Sequence, residues 1–190
     1  MKSKYGVFLV ALFVVCCGLL AFRNLAGDSV DLGPLEEKDE ISIDFPDNIA
    51  GFTTTDLFGR EVTGDIFAEK DVTLVNIWAT FCDPCIEEMP DLQAISESMP
   101  DNAQLIGIVG DVKHMRSDEY VEALAIAEEN GVTFTNLIAD RSMKFMDKVM
   151  LVPTTVLVDS EGNVIGDPII GSEVEKYKQA LAEALNKEAQ

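Results

Sequence analysis

Two cysteines separated by two residues, Cys82 and Cys85, are the side chains of this sequence best suited to chemistry. A β-rich apolar run ends at Phe81 and a helix-forming segment follows, so the dithiol stands at the start of a predicted helix. Free backbone N–H groups and the helix dipole stabilise a thiolate there. We therefore expect Cys82 to attack a target disulfide. Cys85, one turn later and more shielded, then attacks the sulfur of Cys82, which releases the reduced target and leaves the disulfide Cys82–Cys85.

A dithiol of this spacing has other uses. A zinc site needs further ligands, and after the N-terminal apolar segment the chain offers only His114 and no other cysteine. A structural disulfide would close a very small loop and contribute little stability. A peroxiredoxin-like peroxidase needs Thr-x-x-Cys and a nearby arginine, whereas Thr80 stands at Thr-x-Cys. A dithiol module that binds copper is the non-enzymatic alternative.

The chain is strongly acidic outside its first residues. It is 47% hydrophobic and 25% charged, an ordinary globular mixture, with a formal net charge of -20. Residues 1–27 carry three basic side chains and no acid, so the rest of the chain is more acidic still. Such a body repels nucleic acid and anionic lipid headgroups. We therefore expect proteins or small thiols as partners, and no nucleic acid.

The N-terminal segment 1–27 predicts a signal anchor. Tyr5–Phe22 has 18 residues without a charge, which as a helix would span roughly 27 Å, close to the hydrocarbon thickness of a bilayer. Lys2 and Lys4 precede this run and acids follow it, so the positive-inside rule favours a cytoplasmic N-terminus and an exported body. A cleaved signal and a lipoprotein signal at Cys17 are the alternatives.

The composition predicts an acidic linker over residues 28–48. The pattern that follows predicts a single α/β domain over residues 49–190. The linker holds eight acids and one lysine. In the domain, Val72–Trp78 is typical of a central buried strand, and Cys82–Met99 has helical spacing with a kink expected at Pro90. The other predicted elements are a β-hairpin over Phe52–Val62, short helices over Asp65–Lys70 and Ser142–Met150, helices over Asp118–Asn130 and Glu173–Lys187, and strands over Leu105–Val109, Phe134–Ile138, Thr154–Val158 and Val164–Ile170. This order predicts a three-layer fold.

From Ile49 to Glu188 the sequence resembles the thioredoxin-like superfamily, and within it the TlpA/ResA group of membrane-anchored thiol–disulfide oxidoreductases. Trp78, four residues before Cys82, matches the aromatic residue that the family packs beneath the dithiol, and Pro90 matches the helix kink. Val152-Pro153 resembles the cis-proline loop that faces the first cysteine. The resemblance implies a central mixed sheet, with the hairpin as an N-terminal extension and a transmembrane helix before the domain.

Two positions match the ResA-like branch. Thioredoxin itself has a buried aspartate six residues before its first cysteine, where this chain has Asn76. The ResA-like group has a glutamate three residues after the second cysteine, and Glu88 stands there. A carboxyl group buried near the dithiol has a raised pKa and can take the proton of Cys85. The resemblance therefore implies that Cys82, Cys85 and Glu88 are catalytic.

The resemblance also implies the substrate-binding residues, the partner proteins and the cellular location. The expected substrate-binding residues are Trp78, Phe81, Pro84, Val152 and Pro153. The expected partners are oxidised extracytoplasmic proteins, such as apocytochrome c, and a membrane electron donor of the CcdA/DsbD type, with no cofactor and no metal. The expected location is the cell membrane, crossed once, with the catalytic domain outside the cytoplasm.

Two departures from the family pattern bear on the chemistry. Phe81 stands where many relatives have tryptophan, which retains an apolar wall but loses an indole donor. Asp83, between the cysteines, carries a negative charge that disfavours a thiolate and so favours the disulfide, which predicts that the protein acts as a reductant.

Other residues that could do chemistry are expected to be structural. His114 is expected on a surface loop. Met143, Met146 and Met150, spaced as one helix face, are expected in the core.

Overall fold

The protein is described by a computed structural model over residues 44–188. The predicted signal anchor, and the predicted linker up to residue 43, lie outside the described residues. Between residues 44 and 188, no helix is long and apolar enough to cross a membrane.

A five-stranded mixed sheet forms the centre of the domain. Its strands are β3 (Val72–Trp78), β4 (Ala103–Val109), β5 (Thr135–Ile138), β6 (Thr154–Asp159) and β7 (Val164–Ile170), in the order β5-β4-β3-β6-β7. β3 runs parallel to β4, and β4 to β5, whereas β6 is antiparallel to both β3 and β7. Every residue of β3 is buried, as expected for an apolar central strand. The thioredoxin-like arrangement with a mixed sheet is confirmed.

A broken helix leaves the carboxyl end of β3. α1 (Asp83–Glu87) ends before Glu88, and α2 (Met89–Ser98) begins directly after it, so Glu88 caps both helices. Pro90 has no N–H to donate to the preceding turn, so the predicted kink becomes a break two residues earlier. α3 (Asp118–Glu129) is followed by Gly131, whose φ of 63° suits the predicted stop. α4 (Val174–Glu188) closes the described chain.

Different elements cover the two faces of the sheet. On one face, Leu74, Trp78 and Leu105 pack with residues of all four α-helices, including Leu92 and Tyr177. On the other face, the core is completed by two 3-10 helices, Gly64–Glu69 and Lys144–Lys148, and by the segment before the first strand. Within residues 44–188 the three layers are therefore unequal, because the α-helices of this part of the chain cover one face of the sheet.

The predicted hairpin consists of β1 (Thr53–Thr55) and β2 (Glu61–Thr63), paired antiparallel. It lies against the edge strand β5 through a bridge between Asp56 and Leu137. The chain before it also contacts the domain: Asn48 donates to the carbonyl of Glu161 at 2.9 Å. The described end of the predicted acidic linker therefore packs on the sheet layer.

The structure corrects the sequence interpretation at one short helix. The predicted helix Ser142–Met150 is only the 3-10 helix Lys144–Lys148. Met143 is buried as expected, but Met150 is 84% exposed, so its assignment to the core was wrong. The physical reason is that the helix ends at Lys148, and Met150 then belongs to the extended loop before β6. His114 lies on an exposed loop, as predicted.

Candidate active site

Cys82 and Cys85 form a disulfide at the start of α1, with their Cα atoms 5.3 Å apart. Cys82 is the N-cap residue of the helix, and its Sγ accepts the backbone N–H of Cys85 at 3.3 Å. That N–H lies at the helix N-terminus, where it also donates to the carbonyl oxygen of Cys82 at 3.0 Å. It would stabilise a thiolate on Cys82 once the disulfide is reduced. Cys82 is 6% exposed and Cys85 is fully buried. A target disulfide can therefore approach only the first sulfur.

The loop between β3 and the dithiol is tied to the neighbouring strand. Asp111, just after β4, accepts the backbone N–H of Thr80 at 3.1 Å and the Thr80 hydroxyl at 2.7 Å. The bonds fix the chain two residues before Cys82. They also commit the Thr80 hydroxyl to Asp111, so it is not available to support a peroxide at Cys82.

The loop before β6 faces the first cysteine. The carbonyl oxygen of Val152 lies 3.5 Å from Cys82 Sγ. A disulfide sulfur carries no proton, so this is a packing contact in the oxidised protein. The Val152–Pro153 peptide bond is cis, as the resemblance implied. The loop is thus placed where its backbone could pair with a peptide bound at Cys82.

Glu88 lies at the break between α1 and α2 and is 2% exposed. Asn76 Nδ2 donates to its Oε1 at 2.9 Å, and also to the hydroxyl of Thr155 on the neighbouring strand at 3.0 Å. Burial raises the pKa of Glu88, against hydrogen bonds from Ser172, Asn76 and Tyr177 that lower it. Glu88 is three residues after Cys85, a spacing that places Cβ atoms about 5–6 Å apart on a helix. A buried carboxyl group with a raised pKa therefore follows the buried Cys85 by about one helix turn.

Tyr177 of α4 completes the surroundings of Glu88. Its side chain is fully buried, and its hydroxyl oxygen lies 3.2 Å from Glu88 Oε2 and 2.6 Å from the carbonyl of Gly171. The backbone N–H of Glu173 donates to the same oxygen at 3.2 Å. Burial raises the pKa of Tyr177 to about 12, so the phenol stays protonated at neutral pH.

Trp78 is 1% exposed and packs in the same buried cluster as both cysteines. Its indole Nε1 donates to Asn136 Oδ1 on β5 at 2.9 Å. Gly107, between these strands, leaves room for that amide, because a Cβ there would lie 1.9 Å from Asn136 Oδ1. Trp78 therefore has almost no exposed surface for a bound protein.

Two apolar side chains next to Cys82 and Val152 in the sequence are exposed. Phe81 is 74% exposed and Leu151, next to Val152, is 60% exposed. Pro84 is also exposed, Val152 is half-buried, and Pro153 is buried behind it. The predicted substrate-binding residues thus fall into two groups, with Phe81, Pro84 and Val152 at the surface and Trp78 and Pro153 beneath it.

The sequence interpretation missed four residues that support this site: Asp111, Asn136, Thr155 and Tyr177. Tyr177 carried a weak signal, as the single aromatic residue in a closing helix rich in Ala, Glu and Lys. Asp111 and Asn136 carried none, because their roles depend on which strands become neighbours.

Comparison with known proteins agrees with this geometry. The family model described as Redoxin matches residues 44–181. The thiol-disulfide oxidoreductase ResA of Bacillus thuringiensis subsp. konkukian is 29% identical over 200 aligned positions, which cover 98% of each chain. The thioredoxin-like protein YneN of Bacillus subtilis is 30% identical, over 84% of this chain and 91% of its own.

Solved structures share the fold. A thiol:disulfide interchange protein from Chlorobium tepidum superposes with a TM-score of 0.61 at 20% identity, over 74% of this chain and 97% of that one. A secreted Mycobacterium tuberculosis disulfide oxidoreductase homologous to E. coli DsbE gives a TM-score of 0.56 at 21% identity, over 70% of this chain and 96% of that one. The chain therefore belongs to the Redoxin family, and with its thioredoxin-like fold and its Cys82–Cys85 pair it is a thiol–disulfide oxidoreductase of the TlpA/ResA type.

Proposed function

We propose that the protein is a membrane-tethered reductase of protein disulfides, with its catalytic domain outside the cytoplasm. The observation that carries the reductase mechanism is the graded burial of three groups. Cys82 is 6% exposed, whereas Glu88 is 2% exposed and Cys85 is fully buried. The apolar, basic-flanked N-terminal sequence supports the tether.

The proposed cycle starts from the dithiol. The Cys82 thiolate attacks one sulfur of a target disulfide, and the other target sulfur leaves as a thiolate that takes a proton from water. The Cys85 thiol then gives its proton to the Glu88 carboxylate, and its sulfur attacks Cys82 Sγ. The second target sulfur leaves, so the target gains two electrons and the enzyme is left as the disulfide seen in the structure.

Recognition of the target is assigned to the surface around Cys82. Phe81, Pro84 and Val152 would contact the chain that carries the target disulfide, with Pro153 shaping the loop. Trp78 would act from beneath by fixing the position of the dithiol. We expect oxidised extracytoplasmic proteins as targets, with apocytochrome c as the candidate that the TlpA/ResA resemblance suggests.

A protein that reduces disulfides must itself be reduced again. In this cycle a membrane donor of the CcdA/DsbD type would supply two electrons to Cys82–Cys85. Asp83, exposed between the cysteines, supports the reducing direction, because its negative charge disfavours a thiolate on Cys82 and so destabilises the dithiol form.

Trapping tests the proposal. The Cys85→Ala variant cannot resolve the mixed disulfide, so expression of the full chain in a bacterium that exports it should accumulate covalent adducts on Cys82, identifiable by mass spectrometry. The Cys82→Ala variant is the matched control and should form none. Adducts confined to cytoplasmic proteins would contradict the proposed location, and reduced Cys82–Cys85 that fails to reduce insulin would contradict the reductase activity.

A further inference from the structure

The last residues of the predicted linker are fixed to the hairpin that β6 and β7 form. The N–H of Val164 donates to the carbonyl of Asp47 at 2.8 Å, and the N–H of Ile49 donates to the carbonyl of Gly162 at 2.9 Å. The side chain of Asn48, between these two bonds, donates to the same turn. This end of the linker therefore has a fixed position on the domain.

The same segment also contacts the 3-10 helix Lys144–Lys148. The rings of Phe45 and Phe145 are tilted by 56° with their centroids 6.2 Å apart, and Asp44 forms an ion pair with Lys148 at 2.8 Å. Phe145 is 4% exposed, whereas Asp44 lies on the surface. An exposed ion pair contributes little stability, so the ring of Phe45 is the contact that holds this helix against the linker.

This 3-10 helix leads directly into the loop that faces the dithiol. Val152, four residues after the end of the helix, has its carbonyl oxygen 3.5 Å from Cys82 Sγ. Val149 and Val152 pack against the same buried cluster as Phe45, and Phe145 is a member of that cluster. The position of the loop therefore depends on how this cluster is packed.

Hydrogen bonds hold the other end of the loop. The N–H of Gly171 donates to the carbonyl of Pro153 at 2.8 Å, and the hydroxyl of Thr154 donates to the carbonyl of Leu151 at 2.6 Å. Between the two fixed ends, Met150 is 84% exposed and Leu151 is 60% exposed. The exposed part of the loop is thus positioned by hydrogen bonds on one side and by the packing of the 3-10 helix on the other.

We propose that Phe45 is a positioning residue for the loop 149–153, which it holds in place beside Cys82 by packing on Phe145. The end of the linker then has a role in target binding besides spacing, because it fixes the surface that a protein target contacts. This rests on the target-binding role proposed for the loop. Phe45 packs on the cluster that covers the opposite face of the sheet from both cysteines, so the exchange chemistry itself should not need it.

Single-turnover oxidation of the full-length chain in detergent tests the proposal. The reduced protein is mixed with increasing concentrations of insulin or of oxidised glutathione, and its oxidation is followed by the fluorescence of Trp78, the single tryptophan of the chain. Phe45→Ala should raise the half-saturating concentration of insulin about three- to tenfold, the cost of ordering roughly one loop residue on binding. The maximal rate with insulin and the rate with oxidised glutathione should stay unchanged. Phe45→Leu, which keeps an apolar contact with Phe145, should recover most of the loss.

Ile66→Ala is the matched control. Ile66 is also partly buried and packs against the same cluster, but it belongs to the other 3-10 helix, Gly64–Glu69. This variant should lose stability, as Phe45→Ala does, and leave the insulin dependence unchanged. Equal rises in the half-saturating concentration in both variants would overturn the proposal. So would an equal slowing of Phe45→Ala with insulin and with oxidised glutathione.

Hydrogen exchange gives a second readout that needs no substrate. The amides of residues 149–152 should exchange several-fold faster in oxidised Phe45→Ala than in the unmutated protein or in Ile66→Ala, because the loop opens more often once Phe145 loses its contact. Unchanged exchange there would overturn the positioning role. Failure of the unmutated protein to reduce insulin would instead overturn the proposed function, and the exchange of the loop would still decide the role of Phe45.

Discussion

The side-chain amide of Asn76 donates to the buried carboxyl of Glu88 over 2.9 Å, and so joins the central strand to the helix break behind the dithiol. Asn76 is fully buried and pairs across the sheet with Thr155, whose hydroxyl accepts from the same amide nitrogen. The amide of Asn76 donates a hydrogen bond to Glu88 without placing an ionisable group on strand β3. The proton chemistry of the site is thereby concentrated on one carboxyl group.

Stability should depend on pH through Glu88. Burial holds the pKa of Glu88 above its ordinary value of 4.5, so the folded protein binds this proton more tightly than the unfolded chain does. The contribution is complete below pH 4.5 and is lost as pH rises through the folded pKa. Urea unfolding of the oxidised protein should therefore show that the free energy of unfolding of the unmutated chain falls, relative to that of Glu88→Gln, as pH rises from 4.5 through the folded pKa of Glu88. Glu87→Gln, an exposed neighbour, should show no such trend; a constant difference for Glu88→Gln would contradict the argument.

The redox potential should respond to Asp83. Its charge, next to Cys82, disfavours the thiolate of the reduced form, so Asp83→Asn should stabilise the dithiol and raise the reduction potential. Because Asp83 is exposed, we expect a modest rise of about 10–20 mV. Equilibration with glutathione redox buffers at low ionic strength measures it. Glu87→Gln at the other end of α1 is the control, and an equal rise in both variants would rule out a local effect of Asp83.

The packing of Trp78 should depend on the absence of a side chain at Gly107. A Cβ there would lie 1.9 Å from Asn136 Oδ1, the acceptor of the Trp78 indole. Gly107→Ala should destabilise the domain by about 2–4 kcal/mol through overpacking and the loss of that hydrogen bond. Denaturation and tryptophan fluorescence would both report it. Gly51→Ala is the matched control, because nothing lies within 4 Å of a Cβ at that position.

The loop before Cys82 should loosen when Asp111 is removed. Asp111→Ala leaves the N–H and the hydroxyl of Thr80 without their acceptor, at an expected cost of about 1–3 kcal/mol. Hydrogen exchange at Thr80 and Phe81 should accelerate, and reaction with insulin should slow. Asp101 is an exposed acid that precedes β4, whereas Asp111 follows it, and Asp101→Ala should change neither the exchange nor the reaction with insulin. Unchanged exchange in Asp111→Ala would mean that the loop is held by other contacts.

Protein substrates should depend on the apolar side chains beside Cys82. Leu151→Ser should raise the KM for a protein disulfide several-fold and leave the rate with oxidised glutathione unchanged, because only a large target reaches the surface of this loop. Val121→Ser is the control, since Val121 is 63% exposed on α3. Equal changes with both substrates would show that Leu151 acts on the dithiol itself.

The sequence determined the reactive pair and its immediate surroundings, because these depend on short-range geometry. Cys82, Cys85 and Glu88 fall within two turns of helix, so their spacing alone brings them together, and Pro90 alone predicts a break close to Glu88. Pro153 was identified only by resemblance, since Val152 before it lies 70 positions after Cys82 and nothing in that spacing indicates that the two segments meet. Met150 was assigned wrongly because helical spacing continued past the residue where the 3-10 helix ends.

Tertiary structure decided which polar groups surround the dithiol. The pairing of Asn76 with Thr155 follows from the register of β3 and β6, and the bond from Trp78 to Asn136 requires β5 to lie beyond β4 in the sheet. Tyr177 meets Glu88 only because α4 packs over the broken helix. Local sequence governs which residues share a helix turn, whereas the partners of a buried polar group are chosen by strand order and helix packing over the whole chain.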